Sequence, residues 1–567
     1  MTDGPAPADP AGWRGLHLFL HTGTEETDAF LTDDLAPLLD ALVADREAAD
    51  WFFIRYGEDG PHLRIRVRGL TTAAAAELAS ALERLAKARA AVDGPWPSRH
   101  AEVRPVPYVP EIERYGGPLA LPVAERTFAV SSRVAIDALR RRPGGAARLT
   151  VAADLAHTTA RALGLDGLAA AQWLRRHAAG WRWTTEVALL PAEMVHAKVN
   201  SVYAGQHESL VRRARTLEEA LERGTADPCL SDWAEYVRSA DRQLRETGAV
   251  TGAVAGPADA STLRIWGSQL HMLLNRLGVT PDEERAVCRL VSRTLLDAGE
   301  PPSFFPTGHR APDRQYLERS KFQIGRNADS AVRSLPPTGP AGRPAGEIPL
   351  PAEPLPDISL HAALTGRTSA RGPLTGPLTA AQLGTLLWDA HAESHRSRQR
   401  TADGAERALS HRPYPSAGAL YTVRLTLIAL DVEGLPAGTY RCVPGRRTLA
   451  PVGPAPSVEQ LKPLSSYFSR PADDPDWIGV DHAPALLGLH LDLGLLRRRY
   501  GLRALRLGLL EAGHLAQTLV LVATALGLAT TTLGGFHDDL AHELLGLDDF
   551  DNPLQYLLPL GRRAGGA

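Results

Sequence analysis

The residues that could do chemistry fall into short runs, most of them in the last third of the chain. Arg367-Thr368-Ser369-Ala370-Arg371 sets two guanidiniums four residues apart with hydroxyls between them. That set suits a phosphate through forked, charge-assisted hydrogen bonds, although a solvated basic turn has the same composition. His411-Arg412-Pro413-Tyr414-Pro415-Ser416-Ala417-Gly418-Ala419-Leu420-Tyr421 ends in a small-residue turn ahead of an apolar run. Such a turn leaves backbone N–H groups bare and lets a flat ligand come close. Arg499-Tyr500-Gly501 stands before Leu510-Glu511-Ala512-Gly513-His514-Leu515-Ala516-Gln517, with Gly534-Gly535-Phe536 and Leu560-Gly561-Arg562 beyond. In the first half, Arg64 and Arg66 could clamp a carboxylate and His271 could move a proton, His271 and Asn275 sharing a helix face. The same residues also fit a solvated strand face and a satisfied core histidine. His537-Asp538-Asp539 with His542 and Glu543 could formally hold a metal, but a helix start with acidic caps accounts for them, and no metal is expected.

The elements that must position these groups follow from periodicity. Leu16-His17-Leu18-Phe19-Leu20 and Trp51-Phe52-Phe53-Ile54-Arg55-Tyr56 predict strands. A helix is expected over 28–46, on the spacing of Phe30, Leu31, Leu35, Leu38, Leu39 and Leu42. After turn chemistry at 57–61, His62-Leu63-Arg64-Ile65-Arg66-Val67-Arg68 alternates strictly, so Arg64, Arg66 and Arg68 share one face. An Ala-rich helix is expected over 71–91, and helices over nearly all of 121–298. The run 334–356 is dominated by Pro, Gly and Ala and predicts a linker. Beyond it, helices are expected at 360–364, 378–392 and 502–526, a polar loop at 395–408, and strands at 423–430, 485–491, 530–533 and 554–560.

Composition sets limits. At 567 residues the chain is too long for one core. A net charge of -3 gives no global pull toward nucleic acid or an anionic membrane. Cys229, Cys288 and Cys442 lie far apart with no CxxC pair, which argues for a reducing compartment. The first ten residues lack the apolar core of a signal peptide. The apolar run 505–528 is broken by Glu511, His514 and Gln517, which argues against a membrane span. A cytoplasmic protein is expected.

The order of RTSAR, PYPSAGALY, RRYG with LLEAGHLAQ, ALGL with GGF, and a terminal LGR resembles the nitroreductase-like, FMN-dependent azoline dehydrogenases of thiazole- and oxazole-forming peptide pathways. The resemblance covers 358–567. It implies a homodimer with FMN at the subunit interface. Arg367, Ser369, Arg371 and Arg562 would hold the phosphate; the backbone of Pro415, Ser416, Ala417 and Gly418 and of Gly534 and Gly535 would border the flavin. Oxidising a thiazoline removes a proton from one carbon and a hydride from its neighbour, and the flavin takes the hydride. The family has a Lys-Tyr pair before the LLEAGH helix, where this chain has Arg499-Tyr500. Arginine stays protonated in proteins, so Tyr500 is the expected base, with Arg499 favouring its phenolate.

PHLRIR, EIERYGG and HMLLNRL resemble the C-terminal elimination domain of class I lanthipeptide dehydratases, over roughly 13–300. The implied reaction removes glutamate from a glutamylated Ser or Thr, leaving dehydroalanine or dehydrobutyrine. By motif, Arg64, Arg66 and Arg114 would bind the glutamyl group, Glu111 would orient an arginine, and His271 would be general base or acid. Pyridine synthases that perform a [4+2] cycloaddition share this scaffold; the Arg/Arg/Glu/Arg/His set favours elimination. A non-catalytic peptide-binding scaffold is the alternative outside enzymes.

The whole is an α+β chain. A mixed sheet with a mainly helical elimination domain (1–332) leads through a Pro/Gly-rich linker (333–357) to a nitroreductase-like FMN fold (358–567). It is similar to the eliminase–dehydrogenase fusions of lactazole-type thiopeptide pathways. The implied partners are a ribosomally made precursor peptide, glutamylated and azoline-bearing, a separate tRNA-dependent glutamylating protein and a YcaO-type cyclodehydratase. No membrane and no direct nucleic-acid contact is expected.

Overall fold

The computed structural model describes residues 12–141, 144–183, 187–248, 260–297, 311–321, 346–400 and 406–563. The chain divides into two compact units, 1–190 with 197–300, and 191–196 with 301–567.

The first unit opens on four strands, β1 (Trp13–Phe19), β2 (Asp50–Tyr56), β3 (His62–Arg68) and β4 (Val103–Pro107), in the order β2-β3-β1-β4. Its pairings are all antiparallel rather than mixed. β4 escapes sequence reading because Pro105 and Pro107 interrupt it, as an edge strand allows. Trp51, Phe53, Leu63, Ile65 and Val67 are buried. The expected helix over 28–46 runs over Thr24–Ala44 with a π turn at Phe30–Leu35. Helices from Leu121 to Leu296 complete this unit, with Trp233, Trp266 and Leu274 fully buried among them.

Asn275 and Arg276 are spent on fastening the helix Ala260–Arg276 to β2. Asn275 accepts from Arg55 N–H and donates to Arg55 C=O, each at 3.0 Å. Arg276, wholly buried, donates to Phe53 C=O at 2.8 Å and lies over the Phe52 and Phe128 rings. The Asn-Arg pair of HMLLNRL is therefore a clamp between a helix and a strand edge.

In the second unit the main sheet runs, in spatial order, 478–479, 372–375, 554–563, 485–491, 423–429, 438–443, 448–453 and 348–349, with 529–530 beside 554–563. The helix Ala504–Ala525 lies in the core that packs Leu425, Leu487 and Leu489. Phe468, Leu540, Leu544 and Leu557 belong to another cluster. The stretch Leu493–Ala525 is long and apolar enough to cross a membrane by length and composition, but Leu515, Leu519 and Ala523 are buried in the protein core.

Two local expectations fail. The polar run 395–408 is no loop: His395–Arg400 and Glu406–His411 pair as an antiparallel hairpin. It covers no core, so neither strand carries the apolar alternation by which strands are read. Of the expected linker, 333–345 lies outside the described residues, but from Glu347 onward the chain is integrated. Ile348–Pro349 pairs with Thr448–Leu449, Leu350 is buried, and Thr385 and Trp388 hydrogen-bond the backbone of Glu353 and Leu350.

Candidate functional site

In the second unit, a single buried carboxylate builds the Pro415–Gly418 turn. Glu511, 2% exposed, projects from the helix Ala504–Ala525. It accepts from the Ser416 hydroxyl (2.6 Å), the Thr422 hydroxyl (3.3 Å) and the Val423 N–H (2.9 Å). Ser416 Oγ in turn accepts from Tyr421 N–H at 2.8 Å, and His514 donates to Pro415 C=O at 3.3 Å. Gly418, Ala419 and Tyr421 all have left-handed backbones, with φ of 60°, 53° and 49°. For two non-glycine residues that conformation is strained, and it persists where the surroundings over-determine it.

This turn lies against the Arg499-Tyr500 pair. A Cβ at Gly418 would stand 2.5 Å from the Tyr500 hydroxyl oxygen and 3.2 Å from the Arg499 guanidinium carbon. Glycine is thus required at 418 for its φ and for the space. Arg499 Cζ lies 5.6 Å from the Tyr500 ring centre, and Arg499 Nε is buried with no hydrogen-bond partner among the described residues.

Arg367, Ser369, Arg371 and Arg562 form a separate group. Arg367 follows the helix Leu360–Gly366, and Ala370 N–H bonds Thr530 C=O, which ties the RTSAR run to the sheet. Arg562 donates to Pro377 C=O (3.2 Å) and Gly527 C=O (3.4 Å), and Arg563 reaches Thr368 Oγ1. Arg371 bonds its neighbour's carbonyl and lies 3.5 Å from Asp476, while Ser369 is exposed. Arg563 is a member of this group that motif reading missed. Gly534 opens onto free space, and Gly535 C=O accepts from Ser465 Oγ. Gly366 packs against Thr524 whereas Ser416 bonds Glu511, so the two groups meet the same helix thirteen residues apart, roughly 20 Å along its axis. A flat cofactor with a phosphate suits groups of these kinds: guanidiniums and hydroxyls for a phosphate, and a turn kept bare at Gly418 beside a phenol for a flat ring.

In the first unit, a cavity of about 360 Å³ is lined by Arg114, Arg176, His177, Trp181, Arg264 and His271, among others. Beneath it Glu284 is 1% exposed and bridges two imidazoles. His177 Nε2 bonds Glu284 Oε1 at 2.6 Å, and His271 Nδ1 bonds Oε2 at 2.9 Å. Trp181 Nε1–H also donates to Oε1, at 3.2 Å. Burial works to raise the Glu284 carboxyl, but the two imidazoles bonded to it outweigh burial and hold it well below the ordinary carboxylate range. Arg114 donates to Glu111 (2.9 Å) and to Ser268 Oγ (3.2 Å), which aims its guanidinium at the cavity.

The structure brings His271 and Arg114 together, with Glu111 as the arginine's partner; Arg64 and Arg66 do not line this cavity. Arg64 lies over the Tyr56 ring at 3.3 Å and pairs with Glu58. Arg66 is buried, donates to Ile65 C=O and to His17 Nε2, and is lowered to about 10 by burial, then by Arg64. His17 beside it is held neutral, lowered to about 3 by burial and then by Arg66, His62, Arg64 and Arg104. His177 and Glu284, which complete the cavity's acid–base set, had no motif to flag them: they sit on the helices Gly167–Gly180 and Pro281–Leu296, which only folding brings together. Among the described residues no cluster of His, Cys, Asp or Glu could hold a metal; His542 instead accepts from Leu554 N–H, and Glu543 bonds His196.

Residues 13–295 match the family model described as lantibiotic biosynthesis dehydratase C-term, and residues 364–562 match the nitroreductase family. A nitroreductase-family protein of Methanocaldococcus jannaschii is 30% identical over 222 residues, 38% of this chain and 96% of that protein. The microcin B17-processing protein of Escherichia coli is 32% identical over 141 residues, 24% of this chain and about half (49%) of that protein's length. A pyridine synthase of thiomuracin biosynthesis is 25% identical with a TM-score of 0.41, the match covering 50% of this chain and 98% of that one. The chain belongs to the nitroreductase family through its second half, which is fused to a lantibiotic-dehydratase C-terminal domain.

Proposed function

Starting from a nitroreductase-family domain joined to a dehydratase-type C-terminal domain, we propose a bifunctional tailoring enzyme of ribosomally made peptides. The second half oxidises thiazolines and oxazolines to thiazoles and oxazoles with FMN. The first half removes glutamate from glutamylated Ser or Thr to leave dehydroalanine or dehydrobutyrine. The observation that carries the reading is the seating of the Tyr500 hydroxyl and the Arg499 guanidinium in the space a side chain at Gly418 would fill. A phenol and a cation against a flat, open turn are what proton removal beside a planar redox cofactor needs.

FMN, held through Arg367, Arg371, Arg562 and the hydroxyls of Thr368 and Ser369, would supply the hydride acceptor. The chain's own part is to orient and deprotonate. Glu511 holds the turn, Tyr500 takes the ring proton, and Arg499, unable to act as a base, sets a positive charge 5.6 Å from the Tyr500 ring centre. The 20 Å run of helix between the turn and the phosphate group, together with Leu509 at 46% and Leu510 at 61% exposure on that helix, supports a homodimer in which two copies complete each flavin site.

In the first half, Arg114, Arg176 and Arg264 frame a cavity for a carboxylate-bearing group, and the imidazole of His271 lies within it. That furnishing suits expulsion of glutamate; a cycloaddition needs no carboxylate clamp. A cytoplasmic enzyme acting with a separate glutamylating protein and a cyclodehydratase on one precursor fits this reading, the fusion raising the effective concentration of both sites on one flexible substrate. The test uses the full-length protein and a peptide bearing an azoline and a glutamyl-serine, followed by mass spectrometry. Loss of two hydrogens and loss of glutamate are expected. Tyr500→Phe should abolish the first while the flavin spectrum remains; retained oxidation would remove Tyr500 from the mechanism.

A further inference from the structure

We propose that His177 is a second catalytic residue of the elimination cavity: an imidazolium that donates at Nδ1 to the substrate carbonyl while neutral His271 takes the Cα proton at Nε2. This rests on the elimination reading above and adds to it a group that no motif carries.

The geometry separates the two rings. Both bond the same buried carboxylate, His177 at 2.6 Å and His271 at 2.9 Å. Both bonds are charge-assisted through the carboxylate; the proton that balances Glu284 is assigned to the ring with the shorter bond, His177. His271 then donates Nδ1–H to Glu284 and keeps its Nε2 lone pair for the cavity. A single buried carboxylate compensates one imidazolium, and the guanidiniums of Arg114, Arg176 and Arg264 around the same cavity disfavour a second. Trp181 donates to the oxygen His177 uses and stands edge-on to His271, 4.9 Å between ring centres, which fixes both orientations. Gly267 leaves the far edge of the His177 ring open: a Cβ there would lie 3.2 Å from Nδ1.

The chemistry needs such a donor. Breaking a peptide Cα–H bond sends the electron pair toward the adjacent carbonyl oxygen, and a positioned donor to that oxygen is usually the largest catalytic term. The pair then forms the Cα=Cβ bond, the Cβ–O bond breaks, and glutamate departs as a carboxylate toward the guanidiniums. The proton held by His271 passes to water, and His177 keeps its own. Glutamate loss needs no oxidant and no further reactant.

The test pairs kinetics with a titration that does not depend on turnover. With full-length protein and a glutamyl-serine peptide, His177→Gln should lower kcat on the order of 100-fold, leave KM within about threefold, and remove the alkaline limb of the pH–rate profile. Histidine-selective ¹⁵N NMR of the full chain, assigned with His177→Gln and His271→Gln, should show His177 as the imidazolium and His271 as a neutral ring protonated at Nδ1 at pH 7, with His177 discharged by Glu284→Gln. Retained elimination in His177→Gln, an imidazolium on His271 with His177 neutral, or two neutral rings at pH 7 overturns the assignment of His177. Absence of glutamate loss in the wild-type protein, with the His177 proton intact, overturns the reaction assigned to the cavity and the role of His177 with it.

Discussion

Glu511→Ala removes the one acceptor on which the 416–423 segment converges. Two short bonds to a buried carboxylate go, from Ser416 Oγ at 2.6 Å and Val423 N–H at 2.9 Å, with a longer one from Thr422 at 3.3 Å. Hydrogen bonds to a charged group contribute about 1.5–3 kcal/mol each, so the two short ones together stabilise the turn by about 3–6 kcal/mol. Its three left-handed residues keep the Arg424 donation to Tyr421 C=O at 2.8 Å and the turn bond from Ala419 N–H to Ser416 C=O at 3.2 Å. Because about 1.4 kcal/mol is a factor of ten, amide exchange at Val423 and Tyr421 should speed up by two to four orders of magnitude, capped by whole-unit opening. Glu511→Gln keeps an acceptor for Val423 N–H. Its amide N–H₂ then meets a Ser416 hydroxyl whose oxygen already accepts from Tyr421, so a smaller loss of about 1.5–3 kcal/mol is expected. Hydrogen exchange read by mass spectrometry over 416–423 measures both, with the buried strand Ala485–Leu491 as the internal control. Protection in Glu511→Ala within threefold of wild type would refute the argument that this carboxylate builds the turn. Flavin absorbance on the same samples should fall with the protection.

Gly418→Ala places a methyl group 2.5 Å from the Tyr500 hydroxyl on a residue with φ of 60°, so azoline oxidation should fall by at least an order of magnitude. Combining it with Tyr500→Phe should recover FMN affinity without oxidation; oxidation rates unchanged in Gly418→Ala would count against the contact. His490, 3% exposed, is lowered to about 3 by burial, then by Arg441 and Arg424. Its unfolded-state value is near 6.5, so the unfolded chain binds the proton first. Stability is full above pH of about 6.5 and falls toward pH of about 3 at up to about 1.4 kcal/mol per pH unit. His490→Gln should flatten that acid limb in urea denaturation of the second unit; an identical limb in the variant would show that other groups set it.

The local groups of both sites were legible without the fold, because each is written in contiguous residues. The alternation of His62 to Arg68 is a strand whatever surrounds it, Pro415–Gly418 is a turn, and the run before Ala525 is a helix. The motifs around Arg367, Ser416, Gly418, Tyr500, Arg114 and His271 could be read as contiguous runs, and their expected roles came from family resemblance. What periodicity encodes is which face a residue shares, and it is silent on what lies opposite. Thus His271 and Asn275, one turn apart, part company: His271 turns to a carboxylate thirteen residues on, while Asn275 clamps a strand edge 220 residues back. Arg64 and Arg66 share a face with each other but not a cavity with His271. His177 and Glu284 carry no motif, and the hairpin at 395–411 buries no apolar face, so neither left a periodic trace. Short-range order was settled by side-chain pattern and backbone preference. The pairing of Glu511 with Ser416, and of one buried carboxylate with two imidazoles, was settled only when helices distant in sequence packed, since a charge enters a core where partners from other elements can meet it.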